Sequence, residues 1–96
     1  MATTQQIINA WTKARLVNGS NPALVRIDSY GSIIAWSEYG LQTQYGWEID
    51  HELPESQFPG LAKQPENLRA LHWRNNRAKS DKIDIATILK IARGNQ

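Results

Sequence analysis

An acid–histidine pair, Asp50-His51, a lone asparagine, Asn67, and a polar run, Asn75-Asn76-Arg77-Ala78-Lys79-Ser80-Asp81, fall within residues 47–81. Asp50 and Asn76 are hard oxygen donors, the ligand class that suits magnesium or manganese. Two protein ligands leave coordination positions for water and for a substrate phosphate. Histidine as a residue type exchanges protons near neutral pH, so His51 is the candidate base for an attacking water. A base used this way needs its second ring nitrogen held, and Asn67 is the candidate to hold it or to pin the intervening loop. Lys79, three residues after Asn76 and on the same helical face, can meet a phosphate as a point charge. Arg74 and Arg77 add contacts to a nucleic-acid backbone, and Lys82 extends the basic stretch. The chemistry these residues could perform together is metal-assisted hydrolysis of a phosphodiester.

Taken singly, each has a plainer role. Asp50 could be a solvated strand acid, Asn67 a turn cap, Asn75-Asn76 a helix start, and the cations an exposed basic face. The combination carries the inference. His72, beside Trp73 at the end of an expected strand, reads as packing, and Asn75 lies outside the expected ligand set.

The elements that must position these groups follow from local pattern. Thr3 or Thr4 can cap a helix bearing Ile7, Ile8, Trp11 and Leu16, ended by Asn18-Gly19-Ser20-Asn21-Pro22. This helix is expected to close the core without chemistry of its own. Residues 26–39 read as strand and turn. Residues 47–53 alternate, with Trp47, Ile49 and Leu53 on one face and Glu48, Asp50 and Glu52 on the other, until Pro54 stops the strand. A loop over 55–64 leads to a partner strand, Asn67 to Leu71, and a short polar helix, Asn75 to Lys79. Asp81 or Asp84 can cap a last helix with Ile85, Ile88, Leu89 and Ala92 inward, ended at Arg93-Gly94. On a regular strand Asp50 and His51 point to opposite faces. Both serve one phosphate only at a strand end or a bulge.

Composition bounds the reading. Ninety-six residues make one small domain, and four tryptophans must supply much of its buried area. There is no cysteine, which removes disulfides, thiolate nucleophiles and cysteine-based zinc sites. No apolar run is long enough to span a bilayer, so no membrane partner is expected and the cytoplasm is the default location. The net charge of +2 is unevenly spread. Residues 1–60 hold three basic residues against six acids, whereas residues 61–96 hold eight against three. A polyanion at the C-terminal half fits that asymmetry, and so does a solvated helical surface.

Residues 47–81 resemble the HNH nuclease family, the ββα-metal or His-Me finger fold. Its Asp-His pair falls on Asp50-His51, its central asparagine on Asn67, and its last ligand on Asn76. The final match comes from laying Asn76-Arg77-Ala78-Lys79-Ser80-Asp81 on the common ending Asn-Arg-x-Lys-x-Asp, which the HNH domain of RNA-guided CRISPR nucleases also resembles. A looser likeness to small stand-alone bacterial and phage HNH proteins runs through Arg26-x-Asp28, Gly31-x-Ile33-Ile34, Tyr39-Gly40 and Tyr45-Gly46-Trp47. Rather more than half of the chain, Arg26 to Asp81, is covered. Two departures stand out. Where many relatives have two zinc-binding cysteine pairs, His72 and Asn75 fall at the place of one, so no structural zinc is expected. Ser56-Gln57-Phe58-Pro59-Gly60 replaces the glycine pair common after the first strand.

The resemblance implies an α+β domain over residues 1–96, with a ββα-metal core at 47–81 between N- and C-terminal helices. It implies cleavage of DNA with one divalent ion, Mg2+ or Mn2+: His51 activates water, Asp50 and Asn76 hold the ion, and Asn67 orients His51. A monomer with one such site nicks one strand; a weak dimer or successive nicks would cut both. The alternatives are a non-catalytic nucleic-acid-binding module and a nuclease toxin or effector domain.

Overall fold

The first helix shows how local sequence sets the frame. In this computed structural model, which describes residues 2–79, helix α1 spans Thr4–Lys13. Thr3 is its N-cap and forms a capping box: its side chain accepts from the Gln6 amide, and Gln6 answers on the Thr3 amide. Thr3→Ala is expected to lower unfolding stability by about 1 kcal/mol, measured by urea titration. The helix stops at Ala14, whose extended backbone ends the hydrogen-bond ladder. Arg26 Nη1 donates to Thr12 O and Ala14 O, both at 3.1 Å, satisfying carbonyls that a helix end leaves open.

Leu16 therefore does not belong to the helix stripe, contrary to the expectation from periodicity. It lies on strand β1 (Arg15–Leu16) and is 64% exposed. β1 pairs antiparallel with β2 (Val25–Ile27), and β2 with β3 (Ile33–Ala35), in the order β1-β2-β3. The tight β2–β3 turn passes through Gly31, whose φ of +91° is open to glycine at no steric cost.

A 3₁₀ turn over Trp36–Glu38 and the loop 39–46 lead to the second sheet. β4 (Trp47–His51) and β5 (Leu68–His72) form an antiparallel pair, in register from Trp47↔His72 to His51↔Leu68. Their connection carries 3₁₀ turns at Pro59–Leu61 and Pro65–Asn67. Asn67 thus ends a turn rather than opening the partner strand, since a proline at 65 starts a tight turn that runs through it. Helix α2 (Trp73–Ala78) follows β5 at once. It begins two residues before the expected start because the His72 imidazole Nδ1 accepts from Arg74 N at 3.1 Å and caps it. His72 is buried, so its role is the structural one anticipated.

The core joins both sheets to α1. Trp11, Ile34, Trp47 and Ala70 form its centre, with Ile7, Ala14, Trp36 and Ile49 packed around them. Trp11 meets Trp47 at 5.2 Å between ring centroids and Trp36 at 5.6 Å, and Tyr39 covers Trp47 at 4.8 Å. Lys13 anchors α1 to the second sheet by donating to the carbonyls of Pro65, Glu66 and Leu68. The described chain is a small α+β fold of two antiparallel sheets and two helices. Among these residues no helix is long and apolar enough to cross a membrane. The last helix expected from sequence, with Lys82, lies outside the described residues.

Candidate functional site

Period-two geometry sorts β4 into two sets. Trp47 fills the core, while Glu48 and Asp50 share the opposite direction. His51 is the last residue of the strand and remains in regular register with Leu68. It stands at the strand end, yet the regular register keeps its side chain and that of Asp50 on opposite faces, and the cavity lined by His51 is not lined by Asp50.

Asp50 is 4% exposed and lies opposite Arg69 across the sheet. Arg69 Nε donates to its Oδ2 at 2.9 Å, and Lys79 Nζ meets its Oδ1 at 2.5 Å. Burial disfavours the charged guanidinium of Arg69. The hydrogen bond and charge of Asp50, with Glu52 behind them, outweigh that and hold Arg69 above its ordinary value. A raised pKa keeps this contribution complete at every pH below the unfolded-state value of arginine, and it is lost only in strong alkali. Arg69 thus keeps its charge across the range of any enzyme assay. Arg69 Nη1 also reaches Ser29 Oγ at 3.1 Å, and its guanidinium lies 5.5 Å from the Tyr30 ring centre.

Glu48 is paired with α2. Asn76 Nδ2 donates to Glu48 Oε1 at 2.9 Å, and Arg77 Nη2 to Oε2 at 3.1 Å. With its nitrogen committed to Glu48, Asn76 has Oδ1 left as an oxygen donor. Arg77 is thus an ion-pair partner of Glu48 with an exposed side chain. Lys79 is the C-cap of α2, with extended backbone, so it does not continue the helical face of Asn76. From there it bonds Asp50 and also His51 O, at 3.2 Å. Arg74 is exposed, its guanidinium 5.1 Å from the Trp73 ring centre.

His51 Nε2 lies 3.0 Å from Ala62 O. A carbonyl can only accept, so Nε2 carries the hydrogen and the neutral ring keeps its lone pair on Nδ1. None of the hydrogen bonds described for Asn67 reaches the ring; of the two roles open to it, holding His51 or pinning the intervening loop, its bonds serve the second. Asn67 is fully buried; its Oδ1 accepts from Leu53 N at 2.7 Å, and its Nδ2 donates to Leu53 O and Leu61 O at 3.1 Å. It pins both ends of the β4–β5 connection. Leu61 is the neighbour of Ala62, the residue that holds the histidine, so the influence of Asn67 on His51 passes through the backbone.

Glu48, His51 and Asn76 line one cavity of about 550 Å³, with Lys63 and Tyr39 at its walls. Asn75 lies apart, bonded to Asp28 and Ser32. Sequence reading overlooked Glu48, although its place two residues before Asp50 put it on the same strand face. It also overlooked Arg69, which no local signal assigns, because the length of the loop does not reveal which residue lies opposite Asp50.

No family model matches the sequence, and no curated protein or solved structure matches it. Among the described residues no three His, Cys, Asp or Glu side chains form a group able to hold a metal. The donor types nevertheless suit a hard divalent ion: Glu48 and Asn76 line one cavity, while Asp50, on the same strand, does not line it. In the structure Asp50 gives both oxygens to Arg69 and Lys79, so as a ligand it would have to exchange Lys79 for the ion.

Proposed function

We propose that this chain is a metal-dependent endonuclease of the HNH type that hydrolyses DNA phosphodiester bonds, one strand per site, on a ββα-metal core formed by β4, β5 and α2. The observation that carries the reading is the cavity shared by His51, Asn76 and Glu48, with the His51 ring held through Nε2. That arrangement makes Nδ1 the base. It takes the proton of a water whose oxygen attacks phosphorus, and the bond to the leaving sugar oxygen breaks. Magnesium or manganese, when bound, supplies electrostatic stabilisation of the charge developing on the phosphate and leaving oxygens. Asn76 and Asp50 would hold it. Lys79 and the exposed Arg74 and Lys63 supply positive charge for the DNA backbone.

Supercoiled plasmid incubated with Mg2+ or Mn2+ should pass to the open-circular form, and chelator should stop the conversion. Wild-type protein that leaves plasmid supercoiled in both metals would remove the proposal. A second reading, a non-catalytic nucleic-acid-binding module, is favoured by the double ion pair of Asp50, a ligand already occupied by cations. Retarded migration of the plasmid without cleavage is its signature.

A further inference from the structure

A carboxylate outside residues 47–81 has no part in the reaction just described. Asp28, at the end of β2, is fully buried. Its Oδ1 accepts from Tyr30 N at 3.0 Å and Ser32 N at 2.8 Å, which closes the β2–β3 turn. Turn closure requires only that oxygen. Oδ2 accepts from His72 N and Asn75 Nδ2, both at 2.9 Å, across 44 and 47 residues of chain. Asn75 Nδ2 also donates to Ser32 Oγ at 2.8 Å. A carboxylate so buried is costly unless its oxygens are satisfied, and here four donors satisfy them.

The long-range bonds grip α2 at its start. One holds the peptide of His72, the helix cap, and the other holds the third helical residue. A helix of six residues has little stability of its own, so tertiary ties set its direction. Asn76 follows Asn75 by one residue, about 100° further round the helix, and it is bonded to Glu48 at the cavity. Fixing Asn75 therefore fixes the direction in which Asn76 faces.

We propose that Asp28 is a positioning residue of the site: through Asn75 and the His72 peptide it sets the angle of α2, and with it the place of the Asn76 amide oxygen. This rests on the nuclease reading, in which Asn76 holds a divalent ion. Two variants of the full chain test it. Asn75→Ala removes the side-chain tie to the helix body and leaves the three backbone bonds of Asp28, the one from His72 N among them. Asp28→Asn sets an amide donor against one of its two pairs of donors. Mn2+ affinity, read from the spin-resonance signal of the free ion, should weaken about tenfold in each. Duplex binding in chelator should fall by less than Mn2+ affinity, because backbone contacts by Arg74 and Lys79 tolerate a small turn of α2 and Lys63 lies off that helix.

Asn75→Ala with wild-type Mn2+ affinity overturns the inference and leaves the nuclease reading intact. A loss of Mn2+ affinity, DNA affinity and melting temperature in step also overturns it, since general unfolding would then explain everything. Wild-type protein that neither binds Mn2+ nor nicks plasmid overturns the nuclease reading and this inference with it. Asn75→Ala reads the outcome even where Asp28→Asn fails to fold.

Discussion

Replacing His51 with alanine should slow metal-dependent plasmid nicking by about 10²–10⁴-fold, the usual worth of a positioned general base. The melting temperature should hardly change. His51 is only half-buried at the end of β4, and its one described side-chain contact is the Ala62 carbonyl. Truncation leaves that carbonyl without its donor at a partly exposed position, where water can replace it. The two readouts must therefore separate, with activity lost and fold kept. Equal nicking by wild type and His51→Ala would rule out the histidine as base, whatever else cleaves the DNA. Mn2+ affinity measured on the same variant should stay near that of wild type, because the expected ligands are Asp50 and Asn76.

At Asn67 stability and activity are expected to fall together. Asn67→Asp keeps the shape of the side chain and its acceptance from Leu53 N, but removes both donated bonds. A carboxylate then faces the Leu53 and Leu61 carbonyls in a fully buried place. Unmade buried hydrogen bonds and a desolvated charge should together cost about 3 kcal/mol or more. For a domain of this size that is on the order of 10–20 °C in melting temperature. Nicking measured well below the new melting point should also fall, because the loop carrying Ala62 no longer fixes the ring of His51. A melting temperature within about 3 °C of wild type would mean that the loop is held by other means.

Much of this architecture is legible in the sequence because it rests on local rules. The Thr3 cap, the alternation from Trp47 and the stop at Pro54 each depend on neighbours a few residues away. The strand pair was legible in outline, its edges less so: Asn67 alternates with the strand but belongs to the turn begun at Pro65. Side-chain partners were the harder part. Arg69 meets Asp50 only because the register pairs them, and Lys79 reaches the same carboxylate only because α2 ends one residue earlier. Asp28 lies in a stretch that reads as strand and turn, and nothing near it in sequence indicates a bond to a helical residue 47 positions away.

The three tryptophans at the centre have a consequence for modularity. Trp47 opens the strand that bears Asp50 and His51, yet it is buried by Trp11 from α1 and Trp36 from beyond β3. The strand is thus seated in a bed supplied by the first half of the chain. Residues 47–79 lifted out alone would carry Asp50, His51, Asn67 and Asn76 and expose the indole that holds them in place. A transplant into another scaffold must bring residues 3–46 or an equivalent aromatic bed. Motif and fold would then be inherited together, as one unit.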